Sequence, residues 1–82
     1  MSKKEIILLH NDFEIPLNIT SDFNESMNAL KKKINFQDKD MEKYILYYFD
    51  EDGDEVDIDE DDFEEAYNSS KWGLRKKEDE LY

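Results

Sequence analysis

Between Asp50 and Asp62 the chain sets ten carboxylates into thirteen residues, DEDGDEVDIDEDD, and then closes the run with Phe63. Ionised groups at this density cannot be buried, because each would lose its hydration with no opposite charge to replace it. Any fold must therefore hold this stretch at its surface and draw its core from elsewhere. The run is not uniform either. Val56 and Ile58 alternate with Asp57, Gly53 interrupts the acids, and Phe63, Ala66 and Tyr67 follow at helical spacing. A disordered acidic tail has no reason to carry such a pattern. The expectation is a turn, a short strand with Val56 and Ile58 as its buried face, and a helix capped by Asp59 with Asp59 to Asp62 at its start.

With 82 residues in all, the chain has room for one small domain and none for a separate substrate lobe. A formal net charge of -12 excludes nucleic acid and anionic membrane as natural partners and makes a basic protein surface the fitting one. Charged residues at 41% lean toward disorder, but 13% aromatic residues and patterned aliphatic runs lean back, so a folded, highly soluble domain is expected. Cysteine is absent, which removes disulfide and thiolate chemistry and suits a reducing compartment. No apolar run approaches the roughly 20 residues of a bilayer span. A cytoplasmic protein is the expectation.

Before the acidic run, EIILL (residues 5–9) reads as a strand, and in FEIPLNI the residues Phe13, Ile15, Leu17 and Ile19 alternate with polar ones or proline. His10, Asn11 and Asp12 between them supply turn-tolerant residues, so the two runs form a hairpin. Pro16 cannot donate a ladder hydrogen bond, which sends the second strand to an edge or bulge. The period then changes: Phe23, Met27, Leu30 and Ile34 form one helical stripe, Asp22 with Glu25 has the form of a capping box with Ser21 as the alternative cap, and Lys31 to Lys33 sit where the macrodipole is negative. A polar connection, Asn35 to Glu42, leads to KYILYYF, the most strand-like segment and the expected buried central strand. Ser69 and Ser70 break the second helix, and Trp72 and Leu74 begin a weak last strand. The domain is expected to cover residues 1–76, with residues 77–82 a frayed polar tail. The resulting class is α+β, a ubiquitin-like β-grasp outline with a mixed sheet of four or five strands and two helices.

Three chemistries compete for the acidic run. If Gly53 takes the sixth position of a calcium loop, Tyr48 falls at the first, Asp50 at the third, Asp52 at the fifth and Asp59 at the twelfth. An aromatic first ligand, a short twelfth one and a strand where a helix is required all weigh against calcium, and no metal or cofactor is expected. Acid–base catalysis needs carboxylates driven to different pKa values, which crowded exposed groups do not offer, and His10 has no partner spaced to pair with it. The chain is read as no enzyme. The third chemistry is recognition: a folded cluster of like charges carries self-repulsion that a bound cation relieves.

The stretch YYFDEDGDEVDIDEDDFEEA, residues 47–66, resembles the acidic motif of the Phox and Bem, or PB-one, domain family. The motif runs from a hydrophobic strand through acidic-x-acidic-Gly-Asp and a short strand to acids opening a helix with a hydrophobic-x-x-Ala pattern. The preceding hairpin and helix agree with the family in order. The resemblance implies a protein–protein interaction module of ubiquitin-like fold that associates front to back, the acidic motif of one domain gripping a lysine on the first strand of another. It implies lysine-binding roles for Asp50, Asp52 and Asp54, with Asp61 and Asp62 as a second acidic patch and Glu51 matching the motif while facing away.

The family's basic type carries a lysine in its first strand and arginines in the second. The stretches IILLH and FEIPLNI have none, and only Lys3 and Lys4 stand at the extreme start. The expectation is therefore the one-faced acidic type, monomeric alone and heterodimeric with a lysine-bearing PB-one partner in scaffolding or signalling. Self-association into head-to-tail oligomers through Lys3, Lys4 or Lys31 to Lys33 is the open alternative. A ubiquitin-like modifier is another, which the ending Glu80-Leu81-Tyr82, without Gly-Gly, speaks against.

Overall fold

In the computed structural model, which describes residues 3–77, the chain opens with the expected hairpin. β1 (Lys4–His10) and β2 (Phe13–Ile19) pair antiparallel from Lys4 opposite Ile19 to His10 opposite Phe13. Asn11 and Asp12 reverse the chain with φ of 51° and 66°, left-handed conformations that Asn and Asp tolerate and that suit a two-residue hairpin turn. β2 lies at the sheet edge, where the missing N–H of Pro16 does least harm. β1 starts one residue earlier than EIILL suggests, so a lysine does stand in the first strand.

α1 (Phe23–Ile34) is capped by Asp22, whose Oδ2 accepts from the Glu25 N–H at 2.8 Å. The reciprocal arm of the capping box is not made: Glu25 Oε1 accepts from the Thr20 hydroxyl at 3.2 Å, and the Asp22 N–H donates to Thr20 Oγ1 at 3.1 Å. Leu30 is fully buried, while Phe23, Met27 and Ile34 pack partly against the same core. Ser26 is buried as well, and it is satisfied, donating to Thr20 O at 2.9 Å and accepting from Thr20 N at 3.0 Å.

Three expectations for the middle and end of the chain are corrected. The connection after α1 contains a further helix, α2 (Asp38–Met41), so the described residues form three helices and not two. Its single turn is written in local polar bonds that carry no apolar period: Asp40 Oδ2 accepts from the Gln37 N–H at 2.9 Å, and Lys31 pairs with Asp38. The weak last strand is the middle of the sheet. β3 (Tyr44–Phe49), β4 (Glu55–Asp57), α3 (Phe63–Asn68) and β5 (Lys71–Lys76) complete a five-stranded sheet in the order β2-β1-β5-β3-β4, parallel only between β1 and β5. β5 reads poorly because only Trp72 and Leu74 face the core; the alternate positions are Lys71, Gly73 and Arg75. Trp72 is fully buried and its indole N–H donates to Ala66 O at 2.9 Å. β3, flanked by β5 and the edge strand β4, is interior but not the central strand expected from its composition; that place belongs to β5, and within β3 only Tyr47 and Tyr48 are buried.

One face of the sheet carries the core, with Ile6, Leu8, Leu17, Ile19 and Trp72 meeting Leu30 of α1 and Phe63 and Ala66 of α3. On the other face the Tyr47 ring lies across Gly73, where an added Cβ would come within 2.3 Å of it. Arg75 stands 5.3 Å from that ring's centroid and reaches Glu55 at 2.9 Å and Asp57 at 3.2 Å.

The acidic run departs from expectation in detail. Val56 shares the sheet face of its cross-strand partner Tyr48, but on a three-residue edge strand it is left 36% exposed and not buried. Ile58 lies beyond the strand, half-buried against the core, with its N–H on Leu46 O at 2.9 Å. Asp59 is not the helix cap either; residues 59–62 form a turn, α3 starts at Phe63, and Asp62 is the N-cap without a side-chain bond. The tail reading, residues 77–82, lies outside the described residues except for Lys77, whose N–H donates to Lys43 O at 2.9 Å. No described helix is long and apolar enough to cross a membrane.

Candidate functional site

The acidic turn joins β3 to β4. The Phe49–Glu55 pair is the last rung between the strands, and the five residues Asp50 to Asp54 close the loop beyond it. Backbone bonds from Asp50 N to Asp54 O and from Gly53 N to Asp50 O, both 3.0 Å, shape the loop. Gly53 adopts φ +87°, a left-handed conformation at little steric cost only for glycine. Asp50 organises the interior, its Oδ1 accepting from the Asp52 N–H at 2.9 Å and the Asp54 N–H at 2.8 Å. This is the side-chain-to-backbone bonding that makes aspartate a turn former.

The carboxylates of Asp50, Asp52 and Asp54 come together, each offering an oxygen within 4.8 Å of the others. Asp50 is half-buried, while Glu51, Asp52 and Asp54 are exposed. Asp52 and Asp54 accept no side-chain hydrogen bond among the described residues, so their oxygens remain directed to solvent. Beside the turn runs a groove lined by Asp50, Glu51 and Asp52 of the turn, Tyr48 and Phe49 of β3, Glu65 and Asn68 of α3, and Ser69 and Lys71 beyond it. Glu51, expected to face away, contributes to that lining.

Asp61 and Asp62 are not part of the same groove. Asp61 lines a separate shallow cleft with Ser21, Glu60, Glu64 and Tyr67. Asp62, at the start of α3, is close enough to Tyr48 for its charge to act on the phenol. The acidic surface thus has two lobes with α3 between them.

Sequence reasoning missed the α3 side of the groove. Tyr48 is 4% exposed, and its hydroxyl donates to Glu65 Oε1 at 3.0 Å. Burial raises the Tyr48 pKa, and the bond to Glu65 and the charges of Glu65, Asp50 and Asp62 raise it further, so the phenol stays a donor at neutral pH. Ser69 ties this side to the sheet, its hydroxyl donating to Phe49 O at 2.8 Å. A signal was present in the sequence: Tyr48 and Glu65 bracket the acidic run, and a buried tyrosine needs an acceptor.

Positive charge is sparse around the site. Lys71 Nζ lies 6.0 Å from the Phe49 ring centroid, and Arg75 is taken up by Glu55 and Asp57. An ammonium ion carries three donors, and a groove with carboxylates on the turn and on α3 can surround such a compact charge. Comparison with protein-family models, curated proteins and solved structures finds no match.

Proposed function

We propose that the chain is a protein–protein interaction module whose acidic turn and adjoining groove take up a lysine presented by the basic face of a partner domain. The observation that carries this reading is the construction of the turn. Asp50 holds the backbone amides of Asp52 and Asp54, so the two exposed side chains project from an ordered turn. Ordering the backbone that carries like charges before binding lowers the ordering cost of association, and the partner's cation relieves their repulsion.

The finer assignment is a β-grasp domain of the PB-one type. It is supported by the order β2-β1-β5-β3-β4, by the acidic turn between β3 and β4, and by the short helix between β4 and β5. The partner is a basic-faced PB-one domain, the association is front to back, and the role is scaffolding or signalling in the cytoplasm. The chain acts as the one-faced acidic type, monomeric on its own. Lys31 is paired with Asp38 at the far end of α1, and Lys4 is held within its own chain.

The test is binding of a basic-faced PB-one domain by Asp52→Ala and Asp54→Ala variants, with the fold checked by circular dichroism. Each substitution is expected to cost about 2 to 5 kcal/mol of binding, as when one partner of a desolvated charge pair is lost. Retained affinity in folded variants would sink the proposal.

A second reading, divalent-cation binding, has the oxygen cluster of Asp50, Asp52 and Asp54 in its favour. Calcium takes about six to eight oxygens, and Asp50 Oδ1 already serves two amides, so the cluster suits an ammonium better.

A further inference from the structure

Lys4, the first residue of β1, turns its ammonium onto the C-terminal end of α3. Nζ donates to Tyr67 O at 2.6 Å and to Ser69 O at 3.2 Å, and it stands 5.4 Å from the Tyr67 ring centroid. The last carbonyls of a helix lack intrahelical donors and carry the negative end of its dipole, so a cation there meets both needs. α3 needs such support. It has six residues, no side-chain bond from its N-cap, and no basic residue in its last turn.

The two carbonyls that Lys4 holds belong to residues lining both lobes of the acidic surface. Ser69 forms part of the groove beside the acidic turn, and Tyr67 lines the cleft that contains Asp61. Ser69 also bonds Phe49 O, immediately before Asp50. A chain of contacts therefore runs from β1 through the end of α3 to the base of the turn.

We infer that Lys4 is a positioning residue for the acidic groove: it fixes the end of α3 and with it the lining formed by Glu65, Asn68 and Ser69. Its ammonium serves this internal purpose and is not offered to the acids of another molecule. The inference rests on the proposed function only in taking the groove as the binding site.

The whole chain, Lys4→Arg and Lys4→Met are compared by NMR and by titration with hexalysine at moderate salt. The wild-type side-chain spectrum is expected to show a slowly exchanging Lys4 ammonium, protected relative to Lys71. In Lys4→Met the amides of Asn68, Ser69 and Phe49 shift, and hexalysine binds several-fold more weakly; Lys4→Arg, which keeps the charge and can donate to both carbonyls, restores binding. The direction discriminates. Removing a positive charge from a chain that binds a polycation should tighten binding through the overall field alone. Unchanged or tighter binding by a folded Lys4→Met, or a rapidly exchanging ammonium with unmoved Ser69 and Asn68 amides, would overturn the inference. If wild type fails to bind hexalysine, the function proposal fails by itself, and the ammonium exchange and amide shifts still decide the role of Lys4.

Discussion

The two edges of the sheet are built by different means. At one edge β2 runs seven residues and sends Leu17 and Ile19 into the core, at 3% and 0% exposure. At the other, β4 has three residues, all exposed, and is held by three pairs to β3, the Asp50 turn and the ion pairs of Arg75. Apolar burial holds the first edge and polar contacts hold the second. The difference teaches where each task resides: stability comes from the hairpin, β5 and the two longer helices, which leaves the β4 edge hydrated, acidic and accessible.

The most severe challenge to that contrast is a matched pair of truncations. Ile19→Ala on the packed edge is expected to lose about 2 to 5 kcal/mol, as buried isoleucines do. Val56→Ala on the acidic edge should stay within about 0.5 kcal/mol. Urea unfolding measures both, and similar losses would remove the distinction.

Arg75 sharpens the comparison at smaller scale. Arg75→Gln removes both ion pairs to β4, and each side chain involved is roughly half exposed, so the loss should be about 0 to 1 kcal/mol at low salt. The difference from wild type should shrink as salt is raised, because exposed pairs are screened. A loss indifferent to salt would mean that Arg75 acts through its packing on Tyr47 instead.

Smallest is an effect of pH. The folded-state pKa of Tyr48 is raised, first by burial and then by Glu65. Its contribution to stability is therefore fully present below the unfolded value of about 10 and is lost as pH rises through the folded value. Burial raises Tyr47 in the same direction, with Glu55 adding to it and Arg75 opposing it. Phenolate absorbance should show these rings ionising later than free tyrosine, and Glu65→Gln should bring Tyr48 part of the way back.

Much of this architecture could be read from the residues, and the failures share a cause. The hairpin, α1 and β3 follow from clear periods, and Pro16 points to an edge. β5 was underrated because its outward positions, Lys71, Gly73 and Arg75, answer to Phe49, Tyr47 and β4, neighbours brought together only by folding. α2 was missed because one turn made of polar local bonds has no hydrophobic signature. Val56 and Asp59 were misassigned because alternation and capping residues set a pattern without saying where a strand ends or what covers it. At the acidic site the turn was legible from DEDGD, but the Tyr48–Glu65 bond and the separation of Asp61 from the groove depend on where α3 lies.

The central claim, that the acidic turn is a shaped lysine site and not merely a region of high charge, is tested most directly by amide NMR during titration with hexalysine at physiological salt. The amides of Asp52, Gly53 and Asp54 are predicted to shift together with those of Glu65, Ser69 and Lys71, to saturate, and to lose the response when Asp52 and Asp54 are both changed to Asn. Shifts spread evenly from Asp50 to Asp62, and left intact by that double substitution, would contradict it.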